Sequence, residues 1–252
     1  MRELANKLLV RASRSHSIRS YGALVSRRLR EHPANPDLAM AMSVGCLTIE
    51  DFIVTGDGHV AVLVHHGLRD GMAVYDLGCG SGRTAQALRR SGWQGSYKGA
   101  DIERRLIAYL KAKCPGYAAV VHRQTSIDAA DASLDMIFLW SVFTHLYPEE
   151  CYLYLLDMFR ALKPGGKVLL SFLEIENAEH RAIFKRRVTQ FGRYGWTTTL
   201  DAFLHRDWLG IWAEEIGFRA PEFTDGSDGS SHPPFWQTLA VMTKPLAGSV
   251  FP

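Results

Sequence analysis

Val74-Tyr75-Asp76-Leu77-Gly78-Cys79-Gly80-Ser81-Gly82-Arg83 is the stretch that decides how this chain is read. An apolar strand runs into three glycines on alternate positions and then into a helix-forming segment. Glycines at the end of a strand let backbone approach a ligand that side chains would hold away. The spacing is G-x-G-x-G. A dinucleotide fingerprint needs G-x-G-x-x-G, and Arg83 stands where its third glycine belongs. Asp76 lies inside the motif, two residues before Gly78. A carboxylate beside the ligand suits a cation better than a pyrophosphate.

Working outward, strands and helices alternate. Strands are expected at Ala73 to Leu77, Gly95 to Asp101, Ala118 to Arg123, Leu134 to Trp140 and Val168 to Phe172. Helices are expected at Arg83 to Ser91, Glu103 to Cys114 and Glu149 to Leu162, the last with a glycine cap at Pro164-Gly165-Gly166. Residues 37–68 read as helical, interrupted near Thr55-Gly56-Asp57-Gly58. This alternation implies a parallel sheet covered on both faces. Residues 173–204 break the rhythm. Helix Arg206 to Ile216, strand Glu222 to Thr224 and strand Phe235 to Thr243 complete the chain, with a Gly/Ser-rich loop over 225–231.

The chain has 252 residues, 47% of them hydrophobic, which is enough for one substantial core. No apolar run approaches the ~18 residues of a membrane span. Cys46, Cys79, Cys114 and Cys151 show no C-x-x-C pairing and no zinc-finger histidine. A reducing cytoplasm, without disulfides or a metal, is expected. Residues 1–30 hold Arg2, Lys7, Arg11, Arg14, Arg19, Arg27, Arg28 and Arg30 against Glu3 alone. Such a start fits a transit peptide, a helix on anionic lipid as a peripheral membrane contact, or the solvated face of a capping helix. The last is favoured, because Leu8, Leu9, Val10, Tyr21, Leu24, Val25 and Leu29 supply an apolar docking side. Only Tyr21 interleaves the charges, so nucleic acid is not an expected partner.

Five pieces together resemble the class I S-adenosylmethionine-dependent methyltransferases: the glycine motif, Gly99-Ala100-Asp101-Ile102, Ser133-Leu134-Asp135-Met136-Ile137-Phe138, Ser141-Val142-Phe143-Thr144-His145-Leu146 and Leu162-Lys163-Pro164-Gly165-Gly166-Lys167. The fourth looks like a stretch of bacterial small-molecule methyltransferases. The resemblance covers roughly residues 50–245. It implies an α/β, Rossmann-like seven-stranded sheet in the order 3-2-1-4-5-7-6, strand seven antiparallel, with helices on both faces. Residues 1–45 would be a helical cap or extension and 46–252 the methyltransferase domain, with 173–204 a substrate lid after strand five.

The resemblance also implies roles. Gly78, Cys79 and Gly80 would bring backbone under the methionine part of S-adenosylmethionine, with Asp76 near its ammonium. Asp101 follows Gly78 by 23 positions, close to the ~20 of a ribose-reading acid; helix capping is its other reading. Ile102 would pack on adenine, with Ser126 and Ile127 along its edge, although Arg123-Gln124 stands where many relatives carry an acid. Trp140 would wall the transfer centre or pack in the core.

A hydroxyl acceptor needs a base, and His145, just past strand four, is the first candidate, bracing of its own loop being the other reading. His205 and His232 are further candidates. No Asp-Pro-Pro-Tyr or Asn-Pro-Pro-Tyr follows strand four, which disfavours planar nitrogen targets. In the lid, Ile183, Phe184, Val188 and Phe191 share a helical face, with Arg186 and Arg187 among the charges beside it. The expected acceptor is a small molecule: a sugar, a glycan-lipid or a secondary metabolite, methylated at oxygen. The alternatives are a catalytically silent cofactor-binding partner protein and a nicotinamide-dependent oxidoreductase.

Overall fold

The computed structural model describes residues 19–194, 200–229, 235–246 and 248. The basic residues before position 19, Trp196 and His232 lie outside the described residues. A seven-stranded sheet runs in the order β3-β2-β1-β4-β5-β7-β6, as expected. The described residues divide into two compact units, one within residues 19–124 and the other within 125–194, 200–229, 235–246 and 248.

In the first unit, β1 (Ala73–Leu77), β2 (Ser96–Asp101) and β3 (Ala118–Val121) are parallel, with Asp76 beside Gly99 and Asp101 beside Val121. A helix over 19–31 (α1) precedes α2 (Pro36–Ser43) and α3 (Ile49–His65). Asn35 caps α2 by accepting from the Leu38 N–H, and Pro36 needs no partner at the first turn. Thr48 caps α3 in the same way through Asp51.

The expected interruption of α3 at 55–58 does not occur. A Cβ on Gly56 would lie 2.8 Å from the Arg83 carbonyl of α4 (Arg83–Ser91). Glycine is there so that two helices can approach, and packing overrides its low helix propensity. On α5 (Arg104–Lys113), Leu106 packs with Val25 of α1 and Met40 of α2. Arg105 donates to the Gly22 carbonyl and the Ser26 hydroxyl, both at 2.6 Å.

In the second unit, β4 (Leu134–Leu139) pairs in parallel with β5 (Leu162–Phe172), and β7 (Thr238–Thr243) lies antiparallel to β5 and to β6 (Glu222–Thr224). Helices α6 (Pro148–Ala161), α7 (Ala178–Tyr194) and α8 (Arg206–Ile216) complete it. The expected glycine cap at 164–166 is instead an irregularity inside β5, where the register shifts between Leu134 and Met136. Lysine supplies the cap: Lys244 Nζ donates to the Phe159 and Leu162 carbonyls at 2.6 and 2.8 Å, while Lys244 exchanges backbone bonds with Gly165 and Gly166. Strand seven starts at Thr238 rather than Phe235, because Trp236 adopts φ +70.

Candidate functional site

The first unit carries the glycine loop. Gly78, Gly80 and Gly82 all have positive φ. At Gly80 and Gly82 the crowding is also tight: a Cβ would lie 2.6 Å from Val44 Cγ1 and 2.7 Å from Leu110 Cγ. The Ser81 hydroxyl donates to the Met40 carbonyl at 3.1 Å, so the end of α2 supports the loop.

The loop's own amides are largely engaged. Gly78 and Cys79 N–H donate to the Ala100 carbonyl, and Gly82 N–H to the Cys79 carbonyl. The Gly80 N–H donates to Asp101 Oδ2 at 3.0 Å. The glycines therefore provide close approach more than free amide donors. Asp101 Oδ1 accepts from the Glu103 N–H at 2.8 Å. Asp101 therefore holds the turn that leads into α5, whose N-cap is Glu103, and sits on the glycine loop. Burial pushes its carboxyl up to about 6, against the pull of those backbone donors.

Asp76 is 3% exposed. It accepts from the Tyr97 hydroxyl at 2.7 Å, and Thr84, whose hydroxyl lies 2.9 Å from His59 Nδ1, also bonds it. Burial pushes Asp76 up to about 7 despite these donors. Cys79 is buried, and its thiol is pushed well up by that burial, so it fills space between two glycines rather than reacting. Ile102 is half-buried, and its carbonyl accepts from Arg123 Nε at 3.1 Å.

The second unit holds the remaining expected residues. Ser126 is half-buried. Ile127 is 3% exposed and fixed through its backbone: its N–H donates to Asp157 and its carbonyl accepts from Arg160. The Trp140 ring packs against Phe138 and edge-on to Phe235, 4.8 Å between centroids.

Sequence reasoning missed the ring of bonds beside Trp140. Ser141 has φ +58, rare for a residue with a side chain. Its N–H donates to Ser171 Oγ, Ser171 donates to Gln237 Oε1, and Gln237 Nε2 donates back to Ser141 Oγ, at 2.7, 2.7 and 2.5 Å. Backbone strain held in place this way gathers at functional sites. Only the proximity of Ser141 to the end of a strand hinted at it.

His145 ends a short 3₁₀ turn, Phe143–His145. Its Nδ1 lies 2.6 Å from the Leu200 carbonyl. A carbonyl only accepts, so in the neutral ring Nδ1 carries the proton. Burial holds the imidazole below the usual histidine range, with the Leu200 carbonyl and Asp201 opposing that shift. His205 is different: Nδ1 accepts from the Asp207 N–H and Nε2 meets Glu176 at 2.9 Å, so it caps α8 rather than serving as a base. Arg187 is paired with Asp201, whereas Arg186 is exposed. Among the described residues, no group of three or more His, Cys, Asp or Glu could hold a metal ion, and no helix is long and apolar enough to cross a membrane.

Residues 74–166 match the family model of a methyltransferase domain. An arsenite methyltransferase of Aquipseudomonas alcaligenes is 34% identical over 122 residues, covering 43% of this chain and 35% of that protein. The likeness therefore spans about a third of that relative. A solved S-adenosylmethionine-dependent methyltransferase from Methanosarcina mazei superposes with TM-score 0.57 at 20% identity, covering 73% of this chain and 97% of that one. Magnesium protoporphyrin IX methyltransferase from Synechocystis, solved with bound S-adenosylmethionine, gives TM-score 0.59 at 15% identity over 92% of this chain and 97% of its own. At such identities the two structures speak to the fold.

Proposed function

We propose that this chain, which carries a class I, Rossmann-like methyltransferase domain, moves a methyl group from S-adenosylmethionine to an oxygen of a small molecule. The observation that carries the cofactor half is Asp101, held against the Gly80 amide at the end of β2 with lone pairs left for ribose hydroxyls. Asp76 is the acid on the ammonium side, with Gly78, Cys79 and Gly80 allowing close approach. Ile102, Ser126, Ile127 and Trp140 remain the candidate adenine and transfer-centre contacts.

Bound S-adenosylmethionine would supply an electrophilic methyl to an acceptor oxygen attacking in line, its sulfonium taking the electron pair of the broken bond. The hydroxyl proton goes to His145 Nε2. Positioning supplies much of the rate, and a base contributes about 10²- to 10⁴-fold. A neutral, partly buried imidazole with Nδ1 committed to the Leu200 carbonyl suits an acceptor that must lose a proton, such as a hydroxyl. Residues 173–204 serve as the lid on the acceptor side. Arg186 is the lid arginine available to an anionic group on the acceptor, because Arg187 is engaged with Asp201. Four free, buried cysteines suit a reducing compartment such as the cytoplasm.

The test is methyl transfer from labelled S-adenosylmethionine to a panel of hydroxylated sugars, phenols and glycan-lipids, alongside amines and thiols. Transfer confined to hydroxyl acceptors supports the reading. Transfer only to nitrogen or sulfur overturns the oxygen assignment. Cofactor binding without turnover on any acceptor favours the silent binding module.

A further inference from the structure

His145 does not stand alone. The segment after α7 is fastened to its turn: the Ala202 N–H donates to the Thr144 carbonyl at 2.7 Å, and the Leu200 carbonyl accepts from His145 Nδ1 at 2.6 Å. Between them, Asp201 places Oδ1 3.9 Å from the same Nδ1. That distance is too long for a hydrogen bond, and the carboxylate forms an ion pair with the ring only when the imidazole is protonated. The other carboxylate oxygen accepts from Arg187 Nε, and Arg187 in turn donates to Gln190 Oε1 at 3.1 Å. Asp201 is 14% exposed and Arg187 26% exposed at the side chain, so the pair is partly shielded from solvent.

We infer that Leu200, Asp201 and Arg187 form a mount for His145: the carbonyl fixes which ring nitrogen carries the proton, and the carboxylate–guanidinium pair adjusts how well the ring holds a second one. Asp201 and Arg187 are therefore positioning residues for the base, acting through it. The inference rests on His145 being the base of the proposed reaction. Physically, the two charges oppose each other. The carboxylate favours the imidazolium and the guanidinium disfavours it, and both act on this ring. Because Arg187 belongs to α7, the basicity of His145 is tied to the seating of the lid helix and of residues 200–202.

The opposition gives a test that needs no acceptor. In the ¹⁵N-labelled full chain, the imidazole signals of His145, assigned by their loss in His145→Gln, report both tautomer and titration midpoint. The wild type is expected in the Nδ1–H form. Asp201→Asn is expected to move the midpoint to lower pH and Arg187→Gln to move it to higher pH, each by about one pH unit. Arg187→Lys keeps the charge and is expected to stay near wild type, which covers the case in which Arg187→Gln does not fold. A merely structural role would move the variants together or not at all. An Nε2–H tautomer, equal midpoints, or shifts of the same sign would overturn the mount. Failure of the base reading is seen separately, as His145→Gln retaining wild-type turnover on whichever panel acceptor is methylated.

Discussion

Asp101 is where residue-scale chemistry says most about this protein. One oxygen holds the Gly80 amide and the other starts α5 at Glu103. Asp101→Ala removes a half-buried, charge-assisted acceptor, a loss of about 1.5–3 kcal/mol per bond to a charged group. We expect at least a tenfold weaker S-adenosylmethionine affinity by calorimetry, with the circular dichroism spectrum retained.

Asp76 and Asp101 also set a pH dependence. Burial raises both to about 7 and 6, above their unfolded values near 4. The folded chain thus holds protons that the unfolded chain has released, and their contribution to stability falls as pH rises from about 4 through 7. His59 and His145, held below the usual histidine range by burial, act in the opposite sense, so the test is the difference from Asp76→Asn: between pH 5 and pH 8 the wild-type melting temperature is expected to fall relative to that of the variant. A difference that does not change with pH would contradict the buried-carboxylate account. These acids were legible from sequence because they sit at fixed offsets from glycines. Ser141, Gln237 and Asp201 were not: their roles come from a positive φ and from partners 96 and 55 or more residues away, which no local pattern records.

At the scale of elements, the glycine loop and the N-terminal helices are one packed assembly. A Cβ at Gly80 would strike Val44 just past α2, in a backbone conformation that side chains rarely adopt. Gly80→Ala is expected to cost about 1–3 kcal/mol of stability, and thermal melting checks it. Val25 is fully buried against Met40 and Leu106, and burying one such side chain contributes about 1.5–3 kcal/mol. Deleting residues 1–31 should therefore lower the melting temperature, and deleting 1–45 should also abolish cofactor binding. Unchanged binding after the longer deletion would show that α2 does not support the loop. Strand order and most helix spans were readable from alternating pattern and turn residues. Of the element-level corrections, unbroken α3 at Gly56 and the irregular start of β5 at Pro164–Gly166 arise from contacts with α4 and with Lys244, and the later start of β7 follows the positive φ of Trp236. Local propensity does not contain such contacts.

For the molecule as a whole, the candidate residues fall in two compact units. The first holds the glycine loop, Asp76 and Asp101, and the second holds Ser141, His145 and α7. The family match at 74–166 spans the end of one and the beginning of the other. The central claim is that the glycine loop and Asp101 bind S-adenosylmethionine. Calorimetric titration of S-adenosylmethionine into the wild-type chain and into Asp101→Ala, with NADH as the control ligand, tests it most directly. The account predicts one-to-one binding to the wild type, at least tenfold weaker binding to the variant, and no heat with NADH. Equal affinity of the two proteins for S-adenosylmethionine, or saturable binding of NADH alone, would contradict it.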